Sequence, residues 1–173
     1  MEEIIAVGIG IALFIFAIDR DGKKKFRSCK GIGDIGESIV ANKLRQLDDK
    51  FEVVNDVHIG GCQIDHLVIC RECGIIFVIE TKMWGGVIRG RVNNNMWQQD
   101  KGGVINYFNN PIKQNKYHCL VVGNYYAGYK IINTVVFVKN KNVPQYQCVI
   151  CDDKIEKFIT ETVDKFIIKE RKQ

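Results

Sequence analysis

Hydrophobic positions along the chain fall into three kinds of block. The first, Ile4 to Ile18, is apolar all round, with no charge and no amphipathic stripe. The second recurs at helical spacing. Ile35, Ile39, Val40, Leu44 and Leu47 mark a helix within Gly31 to Asp49, and Ile155, Phe158, Ile159, Thr162, Val163, Phe166 and Ile167 mark one near the C-terminus. Asp152 stands where a cap for that last helix is expected, and a further helix is predicted from Pro111 through about Tyr126, with Pro111 at N1. The third kind is short and rich in β-branched residues: Phe51 to Ile59, Ile64 to Cys70, Gly74 to Lys82, Thr134 to Lys139 and Gln147 to Cys151. The last two are apolar enough to be expected at the centre of a sheet. A charged turn with a glycine separates Ile64–Cys70 from Gly74–Lys82, which predicts an antiparallel hairpin.

Charges interrupt that hairpin where an apolar strand has no need of them. Alternation puts Ile76, Val78, Glu80 and Lys82 on one face, and Ile75, Phe77, Ile79 and Thr81 on the other. Antiparallel pairing brings Asp65 opposite the late part of the second strand, within reach of Glu80. Two carboxylates and a lysine at one end of a buried sheet are costly unless they bind a cation or do chemistry. The plainer account is a strand-end salt bridge facing solvent. His66 lies on the face opposite Asp65 and is expected to be packed or hydrogen-bonded rather than a ligand. Glu37 shares a helix face with Val40, Ala41 and Leu44, although a first-turn glutamate also complements the helix dipole. The G-x-G-x-x-G from Gly31 to Gly36 has no strand before it, so the dinucleotide-binding context is missing.

At 173 residues and 46% hydrophobic, the chain has room for one modest domain plus an appendage. The net charge of +5 tilts toward an anionic partner. Much of it lies in Lys23, Lys24, Lys25, Arg27 and Lys30 and in Lys169, Arg171 and Lys172, which leaves the middle closer to neutral. At ~1.5 Å per residue, residues 4–18 fall a little short of a ~30 Å hydrocarbon layer. The acidic Glu2 and Glu3 and the lack of a small-x-small site argue against a cleaved signal peptide. The basic run that follows places the N-terminus outside and the domain in the cytoplasm. The expected organisation is a transmembrane helix within residues 1–20 anchoring the chain in the cell membrane, a basic linker at 21–30 and one domain at 31–173. An apolar helix docked on the domain is the alternative. Seven cysteines at irregular positions fit free thiols in a reducing cytoplasm. Cys70-x-x-Cys73 and Cys148-x-x-Cys151 have zinc half-site spacing. In a strand, however, residues three apart face opposite sides, so buried or turn thiols are expected there rather than zinc.

Taken in order, several short runs form a consistent set: G-x-x-G-E (Gly33, Gly36, Glu37), N-D-V (Asn55 to Val57), Q-I-D-H (Gln63 to His66), G-I-I-F-V-I-E-T-K (Gly74 to Lys82), W-G-G-V-I-R-G (Trp84 to Gly90), W-Q (Trp97, Gln98) and N-P-x-x-Q (Asn110 to Gln114). Over roughly residues 31 to 123 the set closely resembles the NERD, or nuclease-related, domain. The resemblance implies a relative of the PD-(D/E)xK nuclease superfamily, an α/β fold with a restriction-endonuclease-like mixed central sheet flanked by helices. On it, Asp65 matches the first motif acid, Glu80-Thr81-Lys82 the (D/E)xK element, Glu37 the acid on the preceding helix and Gln114 a glutamine on the following helix. Ile64 stands where the superfamily name has proline.

Phosphodiester hydrolysis needs neutralised phosphate charge and a nucleophilic water near pH 7. Asp65 and Glu80 offer hard oxygen ligands for Mg²⁺, or Mn²⁺, with the Thr81 backbone carbonyl as a third, and Glu37 is a candidate to hold a metal-bound water or a second ion. Lys82 would orient the attacking water and Gln114 would fix a phosphate or a water. Tyr117 or His118 would support Gln114. Arg89, Arg91, Asn94 and Gln98, in a glycine-rich hairpin expected over Val87 to Gln98, are candidates for nucleic-acid contact; the flanking Trp84 and Trp97 are expected to pack beneath it. No organic cofactor is expected. The sequence thus points to a membrane-anchored cytoplasmic nuclease acting on DNA. A nucleic-acid-binding or protein-interaction module on the same fold is the alternative.

Overall fold

The computed structural model describes residues 31–170. The predicted anchor at residues 4–18 and the basic linker lie outside the described residues. Among the described residues, no helix is long and apolar enough to cross a membrane.

Helix α1 (Ile32–Leu44) leads into a meander of β1 (Phe51–Ile59), β2 (Cys62–Cys70) and β3 (Ile75–Lys82). Gly60 and Gly61 close the first hairpin with φ of 56° and 78°, the left-handed pair that a two-residue turn between twisted strands demands. A small second sheet follows, made of β4 (Val87–Arg89), β5 (Met96–Lys101) and β6 (Val104–Asn109), all antiparallel. Helix α2 (Pro111–Tyr125) then crosses back so that β7 (Lys130–Phe137) runs parallel to β3, and β8 (Val149–Cys151) runs parallel to β7. A 3₁₀ turn (Asp152–Lys154) opens onto α3 (Ile155–Glu170). The main sheet has the order β1-β2-β3-β7-β8 and is mixed, as expected.

Alternation along β3 decides which layer covers which face. Ile75, Phe77 and Ile79 pack with Val40 and Leu44 of α1 and with Ile155, Ile159 and Val163 of α3. Ile76 and Val78 pack with Val54, Leu67 and Val122 on the α2 side. A third cluster, built on Trp97, Ile112, Val135 and Phe137, joins the small sheet to the body. Both faces being covered explains why β3 reads as a continuous apolar run until its last residues.

Two expectations are corrected and one is extended. The Gln147–Cys151 run forms β8 at the edge of the sheet, not its centre; Val149 and Cys151 sit under the small sheet and Ile150 packs on the opposite face, and hydrophobicity reports covered faces rather than paired edges. The hairpin expected over Val87–Gln98 is present, with Arg89 opposite Gln98, and it extends into a three-stranded sheet whose second turn, Gly102-Gly103, has φ of 63° and 92°. Asp152 does not cap α3. Its carboxylate accepts the Lys139 amide at 2.8 Å and faces Lys43 at 3.7 Å, tying the end of β7 to α1. The two cysteine pairs lie apart, with Cys70 in the α1–α3 cluster and Cys148 and Cys151 in the small-sheet cluster.

Candidate active site

The hairpin register decides where the acids meet. His66 pairs with Ile79, and the next step along both strands brings Asp65 alongside Glu80. The Thr81 amide donates to Asp65 Oδ2 at 2.7 Å, fixing that carboxylate at the end of β3. Glu80 is 2% exposed, and its two oxygens have different surroundings. Oε1 accepts from Lys82 Nζ and, at 2.8 Å, from Gln114 Nε2. Oε2 lies 3.4 Å from His118 Nδ1, out of hydrogen-bonding alignment, so both atoms are buried without a hydrogen-bond partner among the described residues. His118 is thus a member of the site that sequence reasoning placed beside Gln114 rather than against the acid. Its signal was the i, i+4 spacing from Gln114, which stacks the two on one helix face. Tyr117 points to solvent.

Helix α2 is fastened where those two side chains need it. Asn110 caps it by accepting the Ile112 and Lys113 amides at 2.9 and 3.4 Å, ahead of Pro111 at N1. Asn115, fully buried, donates from Nδ2 to the carbonyls of Val78 and Thr134 at 2.8 and 3.1 Å and to Asn133 Oδ1 at 2.9 Å. One side chain therefore bolts the helix to both β3 and β7. On the other side of the sheet, Gly36 lets α1 approach closely, since a Cβ there would meet Met83 Cβ at 2.9 Å. That approach sets the next residue, Glu37, over the end of β3.

Beneath the site, His66 Nδ1 meets Asn55 Oδ1 at 2.7 Å. The amide oxygen can only accept, so Nδ1 carries the proton and Nε2 of the neutral ring accepts from the Thr81 hydroxyl at 3.2 Å. Complete burial pushes His66 down to about 3. It is a packed strand histidine, as its face implied.

The carboxylates differ in how readily they ionise because their surroundings differ. Burial, followed by the neighbouring Glu80 charge, pushes Asp65 up to about 7, against the opposing pull of the Thr81 amide. Burial also raises Glu37, with Asp34, Asp56 and Glu80 adding to it. For Glu80 burial acts upward too, but the His118 contact and the Lys82 ammonium outweigh it and hold the carboxyl below its ordinary value. Glu37, Asp65, Glu80, Thr81 and Lys82 all line one cleft of about 380 Å³. Three carboxylates line it, only Glu80 is paired with an ammonium, that of Lys82, and one buried oxygen is unsatisfied. The donors are all hard oxygens, the chemistry that suits a small divalent cation. Among the described residues no group of three or more His, Cys, Asp or Glu side chains is gathered tightly enough to hold a metal by itself. A cation here would rest on two carboxylates and a backbone carbonyl.

The expected nucleic-acid contacts lie elsewhere. Arg89 pairs with Asp100 at 3.2 Å on the small sheet. The carbonyl of Arg91 accepts Trp97 Nε1 at 3.0 Å, and that of Asn94 accepts Asn110 Nδ2 at 2.8 Å. None of Arg89, Arg91, Asn94 or Gln98 lines the cleft, whereas Lys101, which no motif marks, does. Trp97 is buried against Phe137 and Trp84 packs on Phe108 at 3.8 Å between ring centres, so both are packing residues.

A mixed sheet between helices, with an acid–x–lysine pair closing one strand and a second acid beside it, defines a nuclease-related α/β domain. The nuclease-related domain (NERD) family matches residues 32–138, and the chain belongs to it. An uncharacterized protein of Bacillus anthracis is 37% identical over 92 residues. That match covers 50% of this chain and 42% of the relative, so the chain spans less than half of that protein's length. No solved structure matches.

Proposed function

We propose that this chain is a divalent-metal-dependent nuclease that hydrolyses phosphodiester bonds in DNA, on a restriction-endonuclease-like fold. The observation that carries the reading is the convergence of Asp65, Glu80 and Lys82 at one strand end, with Glu37 from α1 lining the same cleft and Gln114 from α2 hydrogen-bonded to Glu80. A plain surface salt bridge needs neither a buried glutamate nor supports from a second helix. Family membership adds weight, because its description is nuclease-related.

Asp65, Glu80 and the Thr81 carbonyl would hold Mg²⁺ or Mn²⁺, which supplies charge neutralisation at the phosphate and acidifies a bound water. Lys82 keeps Glu80 ionised and orients the attacking water through the protons it does not give to Oε1. Gln114 fixes the rotamer of Glu80. Glu37, with its raised affinity for a proton, accepts a hydrogen bond from water at the cleft mouth. In the same proposal residues 4–18 anchor the chain in the cell membrane, with the domain at 31–173 in the cytoplasm, on the strength of the uncharged apolar run and the basic residues that follow it.

The test is cleavage of labelled single- and double-stranded DNA by the full chain, with an RNA arm, in Mg²⁺, in Mn²⁺ and in chelator, beside Glu80→Ala and Lys82→Ala. Metal-dependent DNA cleavage lost in both variants is the expected result. A wild type that never cuts and takes up no metal by calorimetry, while both variants fold normally, rejects the catalytic reading.

A further inference from the structure

The strand that ends in Lys101 is fastened to the segment that leaves the acid-bearing strand. Gln99 Nε2 donates to the Gly85 carbonyl at 2.8 Å. Asn140 Nδ2 holds the same segment from the other side, donating to the carbonyls of Trp84 and Gly86 at 2.6 and 3.0 Å. At Gly86, with φ of 79°, a Cβ would lie 2.3 Å from the Asp100 carbonyl oxygen and 3.1 Å from Lys101 Cγ. Only glycine permits that approach, and it lays the Lys101 stem against the backbone four residues past Lys82. Lys101 flanks the two-residue turn at the tip of the β5–β6 hairpin. It is the last paired residue of β5, opposite Val104, ahead of a turn closed by the Gly103 amide donating to Asp100 Oδ1 at 2.9 Å.

The cleft's two cations are employed differently. Lys82 gives its ammonium to Glu80. Lys101 lines the same cleft and has no carboxylate within ion-pair distance among the described residues. Lys101 is solvent-exposed on a braced hairpin at the cleft, so its ammonium is available to a charge partner from outside the protein. An incoming phosphate supplies one.

We propose that Lys101 binds the phosphodiester backbone of the strand in the cleft, next to the bond that is cut, and that the β5–β6 hairpin is therefore the arm that positions the nucleic acid. The inference rests on reading the cleft as a nuclease site. It assigns substrate contact to a residue outside the acid–lysine motif and away from Arg89, Arg91, Asn94 and Gln98. As a phosphate contact it strengthens binding without selecting sequence.

The experiment is fluorescence-anisotropy titration of a labelled single-stranded DNA oligonucleotide with the full chain, in chelator and in Ca²⁺, over a series of salt concentrations. Lys101→Ala, Lys101→Glu and Lys101→Arg are compared with wild type, with thermal melts as the check on folding. Loss of one phosphate contact lowers the slope of log affinity against log salt by about 0.7 for a single strand. The expected pattern is that drop in Lys101→Ala, a larger loss in Lys101→Glu and retention in Lys101→Arg. In cleavage, Lys101→Ala raises KM and leaves kcat near wild type. A folded Lys101→Ala chain with wild-type affinity and slope overturns the assignment while the nuclease reading stands on its own cleavage assay. A wild type that neither binds nor cuts overturns both.

Discussion

The Thr81 amide and the Asp65 carboxylate are joined by a 2.7 Å hydrogen bond, so the acid on β2 is held by the residue that separates Glu80 from Lys82 on β3. The amide favours an ionised Asp65, but burial and the Glu80 charge act more strongly in the other direction. The site therefore carries a carboxyl that resists losing its proton until about neutral pH. Such a group destabilises the folded chain once it is forced to ionise.

Asp65→Asn tests this directly. Between the ordinary value of 3.8 and the folded value of about 7, the folded state binds a proton that the unfolded state has released. Stability therefore falls as pH rises through that window, by roughly 1.4 kcal/mol per unit. The asparagine keeps an oxygen for the Thr81 amide but has no charge to bury. In metal-free buffer at pH 8 it should be more stable than wild type by on the order of a few kcal/mol, while losing cleavage altogether. Urea melts at pH 5 and pH 8 measure it, and equal stability of the two chains at pH 8 would refute it.

His66 acts with the opposite sign. Its folded value of about 3 lies below the ordinary 6.5, so below pH 6.5 the unfolded chain gains a proton that the folded chain refuses. Stability from this group rises with pH up to 6.5 and is constant above. Between about pH 4 and 6.5 the Asp65 and His66 slopes oppose each other, and in wild type they nearly cancel. Asp65→Asn should expose the His66 limb as a clear rise in melting temperature over that range. A flat profile in the variant would contradict the burial of a neutral His66.

Gln114 hydrogen-bonds Glu80 and His118 stands beside it, and neither lines the cleft. Gln114→Ala and His118→Ala should each leave the fold intact and weaken Mn²⁺ binding by about 10- to 100-fold, the usual effect of removing a group that orients a ligand. Calorimetric titration reads this independently of turnover. Unchanged affinity in both variants would mean that Glu80 is oriented by Lys82 alone.

Asn115→Leu should be the most destabilising of these changes. It removes a fully buried amide that donates to the carbonyls of Val78 and Thr134 and to Asn133 Oδ1. With about 1–3 kcal/mol for each unsatisfied buried group, a loss of about 2–4 kcal/mol is expected. A denaturant series gives the value, and a loss under 1 kcal/mol would show that the helix is held by its apolar contacts.

The hairpin that carries the acids is legible from sequence because β3 is covered on both faces. A charge pair on such a strand stands out, and period-two alternation then says which way it points. Glu37 and Gln114 are legible as residues on helix faces, but their meeting with Glu80 depends on Gly36 and Asn115, whose roles appear only when the layers are stacked. The small sheet is harder to read. Most of β6 is exposed, so no inward stripe marks it as a strand, although Gly102-Gly103 is a readable turn. Lys101 is invisible at that level, since its place depends on how closely Gly86 meets Asp100. The edge position of β8 is hidden for a different reason: an apolar run records that its faces are covered and says nothing of how many neighbours it pairs with.

Order along the chain has a consequence for synthesis. Every side chain of the acid–lysine–glutamine set precedes residue 115, yet the second edge of β3 is supplied by β7, which begins at Lys130. A nascent chain that has emerged as far as Gln114 owns all its chemical groups while the strand bearing two of them still has an open edge, the kind that recruits foreign strands. The Thr134 carbonyl that Asn115 grips does not yet exist. Fragments released early by the ribosome should therefore be harmless to nucleic acid and prone to aggregate. Ordering of the acid–lysine cleft is deferred until strands that contribute none of its side chains have been made.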